Sequence, residues 1–203
     1  MLPYSMPWPE GENGPLHFLM SINCAAIPTE ALDIPFPRAG RLLFFSSDTS
    51  SENRVIHVPK GVSCVERQAP GGLGTRTAIP LFATCVLSAP PLSDRHQQRL
   101  ADVARTDAFE ALVGQLTVSN SGYQIGGYPP MLRNAPDMEV VSGHLCTEED
   151  DARVAQQLRT WALLATYDMA HIREGPLMSW LIRRSDIAAY RFDRAVLAFA
   201  RGS

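Results

Sequence analysis

Short apolar runs bounded by proline and glycine turns set the limits on what this chain can become. Leu16 to Ile22, Leu42 to Phe45, Trp161 to Asp168, Pro176 to Arg184 and Arg194 to Ala200 are rich in branched and aromatic residues. Such runs pack well on a pleated surface and read as strands. Val55 to Pro59 alternates apolar and polar residues and reads as a short edge strand. Ala78 to Pro90 reads as a buried strand closed by Pro90 and Pro91. Helical signals lie between these groups. Ser93 is an N-cap candidate, followed by Asp94 and an apolar stripe through Leu100, Val103, Phe109, Leu112 and Leu116. A second helix is expected from Glu148 to Leu158, with Thr147 as cap and an acidic first turn. Asp186 to Tyr190 adds a helical turn near the end. The pattern predicts an α+β fold, strand-rich, with mostly antiparallel sheets and two or three helices between the halves.

The two halves also rhyme. A strand with a small hydroxyl residue, a connection, a glycine and an aromatic-rich strand occur around Gly40 and again around Gly175, which suggests an internal duplication. Residues 1–14 read as an irregular lead-in, and 61–77 and 120–137 as loops. The glycines at 71, 72 and 74 lack the following Lys-Ser/Thr of a phosphate-binding loop. A length of 203 residues is enough for one large domain spanning 1–203, with a core that needs neither disulfide nor metal.

Charge and cysteine usage narrow the class. The net charge of −3 disfavours a generic phosphate-neutralising surface, so no DNA partner is expected. Of the basic residues only Lys60 is a lysine, and most of the arginines fall singly, without forming a stripe. Cys24, Cys64, Cys85 and Cys146 form no CxxC pair and match no zinc spacing, so no metal is expected. The start of the chain has no basic or apolar leader, and Ile79 to Leu92 is too short and proline-broken to span a bilayer. These features predict a cytoplasmic protein with no membrane contact.

Catalytic signatures are absent from the sequence: no GxSxG, no HExxH, no HxE with PCxxC. The five histidines are dispersed, and His17, beside Phe18 in a strand, reads as a half-buried structural residue. No catalytic residue and no cofactor is expected, and a binding role follows. GYQIGGYPP, Gly122 to Pro130, combines tyrosine, glycine and proline in a way that makes a rigid loop presenting aromatic faces. Arg183 and Arg184 read as a solvated strand end.

Several stretches together resemble the YwqG-like family of bacterial proteins. They are WPEGENGPLHFLMSINCAAIP, IPFPRAGRLLFFSSD, GYQIGGYPPMLR, WALLATYD and LIRRSDIAAYRFDRAVLAF, in that order from Pro7 to Ala200. The resemblance implies one α+β domain with a duplicated, strand-rich core. It also implies kinship with programmed-cell-death-2-type and pre-ribosomal-factor proteins, which act as binding or chaperone modules in ribosome biogenesis. The chain departs from the family pattern where glutamine is usual: Ser21 in FLMSI, Thr166 in LLATYD, and Arg133 after Leu132. The expected binding patch is therefore Trp8, Ser21, Tyr123, Tyr128, Arg133 and Thr166. The expected partner is a protein, basic in character, as for an immunity, accessory or chaperone-like factor. The alternative is an RNA-binding or RNA-processing domain.

Overall fold

A computed structural model describes residues 2–48, 50–74, 77–88, 123–128, 157, 159–168 and 177–200. The chain packs into two compact units, one of Met1–Thr84 with Ile182–Leu197, the other of Cys85–Leu181 with Ala198–Ser203.

The first unit is built on a three-stranded meander of β4 (His17–Asn23), β5 (Arg41–Ser46) and β6 (Asn53–Val58), in that order. Both pairings are antiparallel, with Ile22 opposite Leu42 and Leu43 opposite Ile56. The central strand β5 carries Leu42, Leu43, Phe44 and Phe45, all essentially without exposed surface. Successive residues of a strand point to opposite faces, so this run requires cover on both sides of the sheet. On one face Leu43 and Phe45 join Leu2, Leu16 and Val58, with Met6, Trp8 and Ile56 packed against them. Each fully buried Leu or Phe contributes about 2 kcal/mol, which makes β5 the anchor of the unit.

The opening segment is more ordered than an irregular lead-in. β1 (Leu2–Pro3) pairs antiparallel with β7 (Cys64–Val65), and β2 (Glu10–Gly11) forms a hairpin with β3 (Gly14–Pro15). Tyr4 N donates to Ser63 O at 3.2 Å and Leu16 N to Pro9 O at 2.9 Å. Pairing with residues distant in sequence does this, and no local periodicity announces it.

A second sheet has the order β11-β10-β9-β8, with β8 (Tyr123–Gln124), β9 (Trp161–Asp168), β10 (Leu177–Arg183) and β11 (Val196–Ala200). β8 and β9 pair antiparallel, Tyr123 opposite Tyr167 and Gln124 opposite Thr166. Trp161 to Tyr167 and Leu177 to Ile182 are buried without alternation, the pattern of strands covered on both faces.

The expected strands are present except the one read over 78–90, and the expected helix count is corrected. Among the described residues there is one α-helix, α1 (Arg184–Ala188), and three 3-10 turns, at Cys24–Ala26, Thr29–Ala31 and Phe192–Arg194. α1 lies in the second half, between β10 and β11, and not between the halves. It begins where β10 ends and is five residues long because the chain turns left-handed at Tyr190. The stretches 93–116 and 148–158, read as helices from periodicity, lie outside the described residues apart from Gln157, which is helical. Each half does contain an adjacent strand pair, β4–β5 and β9–β10. Adjacent strands are too common an arrangement to assign a duplication.

Residues 77–88, expected to form most of a buried strand, are irregular and exposed, with Phe82 91% accessible and Leu87 76%. Pro80 removes one ladder donor, and no described strand pairs with the segment. Hydrophobicity alone selected it, and tertiary pairing did not follow.

Candidate binding groove

The geometry of the groove begins at the end of α1. Tyr190 N donates to Ile187 O at 3.0 Å and Arg191 N to Asp186 O at 2.8 Å. These are the two bonds of a Schellman cap, with Ala189 as the cap and Tyr190 in the left-handed position that glycine usually fills. Tyr190 has φ 57° and is the only described non-glycine residue with positive φ. The turn is pinned from its side chains as well: Arg191 Nη2 lies 2.6 Å from the buried Asp186 carboxylate. Arg184, expected to be a solvated strand end, reaches back to Asp33, donating to its backbone O at 2.6 Å and its carboxylate at 3.0 Å.

The left-handed turn projects the Tyr190 ring outward, 56% exposed, against His57. The ring centroids are 5.1 Å apart, and Phe192 lies 5.6 Å from His57 on the same cluster. His57 is held from below, its Nε2 3.3 Å from Ala39 O. Gly40 permits this approach: it has φ 88°, and a Cβ there would stand 2.9 Å from His57 Nε2 and still closer to Val58 O.

Trp8 forms the opposite wall. Its Nε1 donates to Leu16 O at 2.8 Å and its ring meets Phe45 edge-on at 5.6 Å. Between the walls, along the edge strand β6, runs a groove of about 620 Å³. Apolar and aromatic residues dominate it, and its charged residues are Glu10, Arg54 and Asp193. That size and lining fall in the range of sites that take a small molecule or a partner's side chain.

The residues expected from sequence divide between the two units. Trp8 and Ser21 belong to the first, and Ser21 Oγ accepts from Arg41 Nη1 at 3.2 Å on the exposed side of β4. Tyr123, Tyr128 and Thr166 belong to the second. Tyr123 meets Tyr167 edge-on at 5.3 Å, and Thr166 is buried within β9. Tyr128 is 47% exposed at the end of a turn through Gly126 and Gly127, both with positive φ. Gln124 Nε2 fastens that turn, donating at 2.8 Å to both Gly126 O and Tyr128 O. Arg133 lies outside the described residues.

His57, Tyr190 and Phe192 were missed by sequence reasoning. The alternation of VIHVP placed His57 on an edge strand without giving it a role. Tyr190 carries no signal, because a left-handed cap is legible only when glycine or asparagine fills it. His17, by contrast, is half-buried in β4 with Nε2 3.5 Å from Asp48 Oδ2. Among the described residues, no group of three His, Cys, Asp or Glu side chains could hold a metal ion.

The family described as a domain of unknown function (DUF1963) matches residues 1–200. The chain belongs to the DUF1963 family. This is the YwqG-like family that the ordered sequence stretches resemble, and the match takes in every described strand of the four sheets. No curated protein matches the chain. Within this DUF1963 member, no described helix is long and apolar enough to cross a membrane.

Proposed function

We propose that this DUF1963 protein is a non-catalytic binding module that recognises a protein partner through the groove between Trp8 and Tyr190. One observation carries the reading: an aromatic ring is held outward by a left-handed turn that glycine would occupy at lower cost. Exposed aromatic rings on a rigid frame supply large contact area at little entropic cost, and they recur at the centres of protein interfaces. An immunity, accessory or chaperone-like role in the cytoplasm fits such a module. Ser21, Arg133 and Thr166, which stand where the family usually has glutamine, are further residues expected from sequence, as are Tyr123 and Tyr128 of the GYQIGGYPP loop. Thr166, buried within β9, would act there as support and not as a contact.

The alternative is an RNA-binding or RNA-processing domain, and the exposed Tyr128 ring favours it as a stacking platform. The two readings separate in a nuclease-treated pull-down from the native host. A protein partner is retained after nuclease and lost with Tyr190→Gly. Loss of capture on nuclease treatment, or capture that depends on Tyr128 and ignores Tyr190, favours RNA.

A further inference from the structure

We propose that the groove seats a cationic side chain, arginine or lysine, from an extended segment of the partner, between the Tyr190 ring and the carboxylates of Glu10 and Asp193. This rests on the protein-binding reading and names the chemistry of what is bound. Glu10 and Asp193 both line the groove, both are exposed, and neither has a cationic partner among the described residues. Arg54 is the one permanent cation in the lining, which leaves one negative charge in excess. The whole chain carries −3, so the field of the molecule points the same way.

The aromatic walls supply the second attraction. Tyr190 leans on His57 with one part of its ring and keeps more than half its surface open. A guanidinium or ammonium above such a ring gains about 0.5–1 kcal/mol at an exposed site. Arginine suits the seat better than lysine, because its flat fork can stack on tyrosine while donating to a carboxylate. A neutral apolar occupant would desolvate Glu10 and Asp193 without compensating them, and a phosphate would be repelled by both. Methylene stems of the same side chain would cover Trp8 and Ile56.

Fluorescence anisotropy on the full chain tests this with a labelled peptide of arginines spaced by glycine and serine, against the same peptide with citrulline for arginine. The arginine peptide is expected to bind at least about tenfold more tightly, with an affinity that falls as salt rises. Glu10→Gln with Asp193→Asn is expected to weaken binding about tenfold and flatten the salt dependence. Tyr190→Gly, which places glycine where the cap prefers it and so retains the fold, is expected to weaken binding about fivefold. Equal binding of the citrulline peptide, no saturable binding of the arginine peptide, or indifference to all three substitutions overturns the proposal. So does a doubled mass in sedimentation that Tyr190→Gly abolishes, since a second copy would then fill the groove. In the host pull-down, nuclease-resistant capture that needs Tyr190 but ignores the two carboxylates removes the cation seat and keeps the protein-binding reading. Capture lost to nuclease removes that reading itself.

Discussion

A tyrosine at φ 57° costs about 1 kcal/mol or more relative to glycine, because its Cβ crowds the following carbonyl. The cap tolerates it through two backbone hydrogen bonds and the Asp186–Arg191 ion pair, all within six residues of chain. Strain at one position is thereby covered by local bonds, and the ring is left on the surface. Cys24 shows the opposite economy. It has no exposed surface, and burial pushes its thiol from 9.0 up to about 11, while the nearby Leu42 backbone and the Arg41 charge oppose the rise. At pH 8 a thiol-specific reagent should therefore label the exposed Cys85 first and leave Cys24 intact until the chain unfolds. The raised value also fixes a pH dependence. The folded state holds the Cys24 proton more tightly than the unfolded chain, so this contribution is complete below pH 9 and is lost as pH climbs through about 11. Urea midpoints measured from pH 8 to 11 should fall; a midpoint that rises over that interval refutes the assignment. Tyr190 leaves no trace in sequence because its cap lacks the glycine or asparagine that signals one, whereas the raised Cys24 value depends on neighbours brought from elsewhere by the fold.

At the scale of elements, the strands were readable and their connections were not. β4, β5, β9, β10 and β11 coincide with the apolar runs to within a residue or two, and for β5, β9 and β10 the reason is that a strand buried on both faces must be continuously apolar. The same rule failed for residues 77–88, since hydrophobicity states that a segment prefers burial and says nothing about an available partner strand. β1, β2, β3 and β7 are two residues each and leave no periodic trace. Trp8 was singled out as a binding residue, yet the hairpin and strand pairing that fix it between Leu16 and Phe45 depend on contacts from residues 2 to 65. The connection between β4 and β5 illustrates how such details carry stability. Gly40 closes it with φ 88° and lies under His57 and the Val58 carbonyl. Gly40→Ala should cost about 2 kcal/mol from the left-handed backbone alone, lowering Tm by about 6 °C, with further loss as Val58 is displaced. Thermal unfolding followed by circular dichroism reads this directly, and an unchanged Tm would show that the turn is free to rearrange.

For the whole molecule, the groove is assembled from chain segments far apart in sequence: 6–10, 54–57 and 190–193. The first unit contains all three because residues 182–197 return to it after the chain has passed through the second. The exposed stretch 77–88 lies between them in sequence and spans the point where one unit gives way to the other at Thr84 and Cys85. Its consequence is a prediction about severed chains. Phe82 is the most exposed large apolar side chain described, so limited chymotrypsin digestion should cut there first. The amino-terminal fragment then keeps Trp8 and β6, while the carboxyl-terminal fragment keeps Tyr190. A groove once completed within a single polypeptide becomes a complementation between two. Co-elution of the fragments under native conditions, with partner capture intact, is the expected outcome; separation of the two pieces with capture retained by either one alone would show that the walls need not meet.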